Sequence, residues 1–219
     1  MIDNIIFDFD GVIVDSEIIA GKAICKYLNE RGINFAEEDL YQLSGYKTTE
    51  IISTLCSRFE IKDKDTFYSE IIELSNVIYY NDLKPVEGVH NFVKNIKCKK
   101  LIGSNNVKPR IIEGLKTVQL EDFFLESLIF AFDTVGIAKP KPDIYLMAIK
   151  KANLEKNNTL IIEDSVIGTM AGVAAGIKVI GLTAGGHCHP DRSKQELYDA
   201  GAFTVANDYK ELLNIIEKL

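Results

Sequence analysis

Short apolar runs recur along the chain, separated by stretches with helical periodicity. Residues 4–9 (Asn-Ile-Ile-Phe-Asp-Phe), 100–103, 128–132, 159–163 and 178–182 are nearly unbroken in Ile, Leu, Val and Phe, and a weaker run lies near 203–205. Runs of this kind suit strands buried on both faces of a parallel sheet, where no polar alternation is required. Apolar positions spaced three and four apart fill 88–97, 107–117, 142–153, 166–175 and 208–218. Strands alternating with helices predict an α/β fold with a Rossmann-like, doubly wound parallel sheet.

One stretch breaks this rhythm. From Asp15 to Leu83 the apolar positions keep a helical spacing, as in Ile18, Ile19, Cys25, Leu28 and again in Ile51, Ile52, Leu55. The segments 37–43 and 64–80 have the same character. The expected organisation is an α/β core over residues 1–14 and 85–219 with a helical subdomain inserted over 15–84. Pro85 and Gly88 punctuate the return to the core.

Composition narrows the class of partner. With 219 residues and 47% hydrophobic content, the chain can build one large domain or a core carrying a smaller one. A net charge of -7 leaves no basic footprint for nucleic acid or an anionic membrane surface. Cys25, Cys56, Cys98 and Cys188 lack CxxC spacing and read as reduced thiols, not as a disulfide frame or zinc site. No basic-then-apolar leader opens the sequence, and no apolar run approaches the roughly 20 residues needed to span a bilayer. A cytoplasmic location is expected.

Two apolar strands end in paired acids. Asp8-Phe9-Asp10-Gly11 follows the first run and Glu163-Asp164-Ser165 follows the fourth. Ligands of open parallel sheets bind beyond the carboxyl ends of strands, so both pairs leave the sheet where a site is expected. Crowded carboxylates need a cation or a shared proton. A hard-oxygen set without histidine suits Mg²⁺ better than zinc or iron. The same acids also fit a solvated turn or a helix N-terminus favoured by its dipole. Leu101-Ile102-Gly103-Ser104-Asn105-Asn106 ends a strand in small polar residues before a helix, which fits either a phosphate cradle or ordinary capping. Lys139-Pro140-Lys141-Pro142-Asp143 places a lysine on a stiff backbone, either to neutralise an anion or as a solvated side chain. Tyr145, Leu146 and Met147 read as helix core, and the His187-Cys188-His189 cluster as a glycine-rich loop with poor ligand geometry.

In this order, Asp8-x-Asp10-Gly11, Ser104, Lys139-Pro140-x-Pro142-Asp143 and Glu163-Asp164-Ser165-x-x-Gly168 resemble the four motifs of the haloacid dehalogenase-like hydrolases. The resemblance spans essentially the whole chain and points to the subgroup with a helical cap, which holds sugar-phosphate phosphatases and beta-phosphoglucomutases. It implies Asp8 as a nucleophile that forms an aspartyl-phosphate, and Asp10 as general acid and base. It implies Ser104 and Lys139 as phosphoryl-binding residues, and Asn105 beside Ser104 as a further substrate contact. It implies Mg²⁺ held by the Asp8 carboxylate, the Asp10 backbone carbonyl and Asp164, with Glu163 acting through a metal-bound water. The implied substrate is a small phosphate ester and the implied state a monomer.

Departures from the family pattern narrow the choice. The mutases carry a His and an Arg in the cap where this chain has Ala20 and Thr48, which favours water over a sugar hydroxyl as acceptor. Asp10 is absent from the dehalogenases proper, which argues against dehalogenation. Asp15-Ser16-Glu17-Ile18-Ile19 and Gly45-Tyr46-Lys47-Thr48-Thr49 resemble 6-phosphogluconate phosphatases most. Gly45 and Lys47 are then expected on a cap loop, where Lys47 meets a substrate carboxylate or second phosphate, or is simply solvated.

Overall fold

The computed structural model describes residues 2–36, 39, 48–186 and 194–219. The chain forms two compact units, one of Met1–Asp15 with Lys84–Leu219 and the other of Ser16–Leu83. The second unit is helical in its described residues. Helices α1 (Glu17–Glu30), α2 (Thr48–Arg58) and α3 (Lys64–Asp82) build it, with Asp63 capping α3 through the Thr66 N–H. Ile24, Leu28, Ile52, Leu55, Phe67, Ile71 and Tyr79 form its interior. No helix among the described residues is long and apolar enough to cross a membrane.

The first unit holds a six-stranded sheet: β1 (Asn4–Phe7), β2 (Lys99–Ser104), β3 (Ile129–Ala131), β4 (Thr159–Glu163), β5 (Lys178–Leu182) and β6 (Thr204–Ala206). Its order is β3-β2-β1-β4-β5-β6, and every pairing is parallel. This is the Rossmann-like sheet expected from the alternating pattern. Between the strands lie α4 (Val89–Asn95), α5 (Lys108–Thr117), α6 (Phe132–Val135), α7 (Asp143–Ala152), α8 (Val166–Ala174) and α9 (Gln195–Asp199), and α10 (Tyr209–Ile216) closes the chain. The short α6 and α9 carry too little periodicity to be legible beforehand.

The pleat sorts side chains onto two faces. Ile6, Leu101, Phe130, Ile161 and Val179 share one buried cluster with Ile144, Tyr145 and Ala148 of α7 and Ala171 of α8. Phe7, one residue on from Ile6, joins a separate aromatic set: its ring meets Phe92 at 6.1 Å and Phe124 at 5.6 Å, both edge to face. Tyr209 extends that set against Phe92, and its hydroxyl donates to the Val12 carbonyl at 2.6 Å. This bond ties the start of α10 to the loop that follows β1.

Phe7 is fully buried. Phe7→Ala is therefore expected to cost about 3–5 kcal/mol in urea unfolding, through lost transfer energy and the cavity left behind. Phe203→Ala serves as the control because that ring is 55% exposed. Equal losses for the two variants would show that the aromatic set does not brace β1.

Candidate active site

Asp8 directly follows β1, and its N–H continues the ladder to the Ile162 carbonyl at 2.9 Å. Because β1 lies between β2 and β4, the ends of these three strands converge. Asp8 has the parity of Ile6, and Glu163 that of Ile161. Both carboxylates thus emerge on the face occupied by α7, which carries Tyr145.

The centre of the site is a buried ammonium between two carboxylates. Lys139 Nζ donates to Asp8 Oδ1 at 2.8 Å and to Glu163 Oε1 at 2.6 Å. The three residues are 6%, 8% and 0% exposed, respectively. The Tyr145 hydroxyl also donates to Glu163 Oε1, at 2.8 Å, and its ring lies 4.9 Å from Lys139 Nζ. The other Glu163 oxygen accepts from the Asp164 N–H, the Ser165 N–H and the Ser165 hydroxyl at 3.1, 3.2 and 2.9 Å. Five donors thus fill a carboxylate that offers about four lone-pair sites. Glu163 anchors Lys139, and these donors engage the same oxygens through which the family resemblance has it act on a metal-bound water.

Two glycines admit this arrangement. A Cβ on Gly168, in the first turn of α8, would coincide with the Glu163 carboxylate. A Cβ on Gly103 of β2 would lie 3.0 Å from the Tyr145 ring. The Ser165 hydroxyl meanwhile accepts the Gly168 N–H at 3.1 Å, so a single side chain caps α8 and braces Glu163.

Electrostatics set the character of each group. Burial, followed by repulsion from Glu163, lifts the Asp8 carboxyl well above the usual carboxylate range despite the attraction of Lys139. Burial alone would lower the Lys139 pKa, but Asp8 and Glu163 together hold it well above the ordinary lysine value. Burial and then Glu163 raise Tyr145 likewise, which keeps its hydroxyl a donor. Asp8, Glu163 and Asp164 are all buried, with oxygens within 4.8 Å of one another. Three carboxylates against one ammonium leave a local excess of two negative charges when all are ionised. A divalent cation fits that deficit, and hard oxygen donors suit magnesium. With Glu163 saturated, Asp8 and Asp164 are the side chains left to hold it.

The turn after β2 supplies the remaining residues. Ser104 is fully buried, and its Oγ accepts the Asn106 N–H at 3.0 Å. Asn105 Oδ1 accepts the Lys139 N–H at 2.7 Å, and its Nδ2 donates to the Lys139 carbonyl at 3.4 Å. The Asn105 side chain therefore grips the Lys139 backbone at both its N–H and its carbonyl. Asn106 Nδ2 donates to Asp10 Oδ2 at 3.2 Å.

The structure thus gathers Asp8, Asp10, Ser104, Asn105, Lys139 and Asp164 around three neighbouring strand ends. Gly45 and Lys47 lie outside the described residues, as do His187, Cys188 and His189. Tyr145 has a core ring, as its helical spacing implied, but its hydroxyl belongs to the charged cluster. Leu146, read as core, is 38% exposed because the α7 stripe rotates past it. Tyr145 and Asn106 were in plain view beside two motifs, yet nothing in their spacing marked them as partners of Glu163 and Asp10.

Over residues 5–182 the chain matches the family described as haloacid dehalogenase-like hydrolase. It is 28% identical to the phosphorylated carbohydrates phosphatase of Thermotoga maritima across 99% of both chains. It is 25% identical to the 6-phosphogluconate phosphatase of Escherichia coli over 86% of each. A HAD family hydrolase of Deinococcus radiodurans, solved with bound phosphate and sodium, superposes with a TM-score of 0.85 at 27% identity, covering 99% of this chain and 96% of that one. A match that runs from β1 to the end of β5 takes in every strand end bearing a charged side chain of the site, and the chain belongs to the haloacid dehalogenase-like hydrolases.

Proposed function

We propose that the protein is a phosphoric monoester hydrolase that acts on a small phosphorylated metabolite, a sugar or sugar-acid phosphate, with Mg²⁺ as cofactor. The observation that carries this reading is the Asp8 carboxylate held 2.8 Å from a buried lysine at the end of the central strand. Relatives named as phosphatases of phosphorylated carbohydrates and of 6-phosphogluconate support the substrate class.

Asp8 is the nucleophile. Its oxygen attacks phosphorus in line with the ester oxygen and forms an aspartyl-phosphate, which water then hydrolyses. Lys139, charged and fixed, offsets the negative charge gathered as the phosphoryl group approaches Asp8. The Ser104 hydroxyl accepts from Asn106 N–H, which leaves its own proton for a phosphoryl oxygen. The backbone of Asn105 follows at the same turn, next to the N-terminus of α5, where N–H groups favour anions. Asp10 protonates the departing alcohol and later takes a proton from the attacking water. Mg²⁺ held by Asp8, Asp164 and the Asp10 carbonyl would supply charge neutralisation to the phosphoryl oxygens. We read the helical unit as the cap that selects the substrate, with Gly45 and Lys47 as its contacts. The absence of the mutase His and Arg favours hydrolysis over transfer to a second hydroxyl.

Phosphate release from a panel of sugar phosphates, sugar-acid phosphates and nucleotides, with Mg²⁺ and with a chelator, tests the class. Release is expected for one sugar or sugar-acid ester and is lost on chelation. An isomerised sugar phosphate as product would instead identify a mutase. Asp8→Asn is expected to lower turnover by about a thousand-fold or more while the fold persists. Near-normal activity in that variant would remove Asp8 as nucleophile.

A pH-dependent stability follows from the same charges. In the cation-free folded protein burial and Glu163 make the Asp8 carboxyl titrate above the ordinary value of 3.8 that it has in the unfolded chain. The folded state therefore binds more protons, and stability falls as pH rises above about 4. Lys139 holds its proton in both states below about pH 10 and adds no slope at lower pH. Saturating Mg²⁺ is expected to raise the thermal midpoint more at pH 8 than at pH 5, and Asp8→Asn to flatten both trends. An unchanged pH slope in Asp8→Asn would assign the extra proton elsewhere.

A further inference from the structure

The turn after β2 holds Asn106 at three points besides its contact with Asp10. Its N–H donates to Ser104 Oγ at 3.0 Å, and its carbonyl accepts from the Phe132 N–H at 3.0 Å. Its side-chain Oδ1 accepts from the Val107 N–H, also at 3.0 Å. Val107 N–H can only donate, so this last bond determines which way the Asn106 amide faces. The NH₂ group must then point to Asp10, where it donates to Oδ2 at 3.2 Å across 96 residues of sequence.

We propose that Asn106 is a positioning residue for the proton transfers of Asp10, fixing the plane of its carboxyl group and confining the transferable proton to Oδ1. The inference rests on Asp10 acting as general acid and base, as read above. An amide N–H cannot accept a proton, so the oxygen facing it must stay an acceptor. The acidic proton resides on the other oxygen, and the carboxyl cannot rotate to exchange the two without losing the Asn106 bond. In the first half-reaction the ester P–O bond breaks as an Asp8 oxygen bonds to phosphorus, and the Oδ1 proton passes to the departing oxygen to give the alcohol. In the second, a water oxygen bonds to phosphorus and the Asp8–phosphorus bond breaks. One water proton returns to Oδ1, and inorganic phosphate leaves.

Asn105 and Asn106 divide the labour of one turn. Asn105 grips the Lys139 backbone at two points, and Asn106 grips the Asp10 side chain. The ammonium that offsets the phosphoryl charge and the group that moves the proton are thus positioned from adjacent residues on a single strand end.

A purely structural asparagine would hold the turn and treat all esters alike, so the test is leaving-group dependence. Asn106→Ala and Asn106→Ser are compared with wild type on p-nitrophenyl phosphate, which departs without an acid, and on ribose 5-phosphate, glucose 6-phosphate and 6-phosphogluconate, which need one. The serine hydroxyl is too short to reach Asp10 but keeps a polar side chain at the turn, and the bonds of the residue 106 N–H to Ser104 Oγ and of its carbonyl to the Phe132 N–H are backbone contacts that both variants retain. The quantity read is kcat/KM, which reports steps through aspartyl-phosphate formation and excludes the hydrolysis common to all esters. Both variants are expected to lose about 10- to 100-fold on the alkyl esters and under about 3-fold on the aryl ester. Equal losses on the two ester types, or no loss on either, would overturn the positioning role while leaving the phosphatase reading intact. A wild-type protein that releases phosphate from none of the three alkyl esters would overturn that reading, and this inference with it.

Discussion

The site depends on one buried cation. Lys139 Nζ sits between Asp8 and Glu163 with almost no access to water. Burying such charges is strongly unfavourable unless every partner is present and well placed, and removal of one partner typically costs about 3–5 kcal/mol. This is why so much nearby structure is devoted to Glu163, a residue read here as taking no part in the bond changes. Tyr145, Ser165 and two backbone N–H groups saturate its oxygens, Gly168 makes room for them, and Gly103 makes room for the tyrosine ring. The network spends its donors on keeping one ammonium charged and still beside Asp8.

The sheet makes this economical. With β1 between β2 and β4, residues 8, 104 and 163 reach one rim without any long loop. The pleat then decides which of them can meet. Asp8 and Glu163 share a face with Tyr145, whereas Phe7, on the opposite face, is held in an aromatic set that includes Tyr209. The same central strand therefore carries a rigid apolar anchor on one side and the Asp8 carboxylate just beyond its end. Rigid support of this kind lets a few tenths of an ångström matter at the reacting atoms.

Much of this was legible before any coordinates. Unbroken apolar runs such as Ile5-Ile6-Phe7 and Leu160-Ile161-Ile162 report burial on both faces, and burial on both faces requires helices above and below a parallel sheet. Acidic residues closing two of these runs then mark the functional rim, because strand ends are where an open sheet leaves a crevice. The family resemblance sharpened these signals into roles. The four-residue α6 was beyond reach, since so short a helix leaves no period to detect.

The sequence by itself determined the α/β class, the strand inventory and the residues that bring charge to the rim, because these follow from local periodicity and from the chemistry of side chains at strand ends. Only the tertiary structure decided the pairings. That Glu163 braces Lys139 across 24 residues, that Tyr145 serves it through a hydroxyl on an otherwise apolar helix face, and that Asn106 meets Asp10 across 96 residues are facts of strand order and side-chain direction. A hydrogen bond across such a separation depends on both partners reaching one place in space, and no local pattern encodes that meeting.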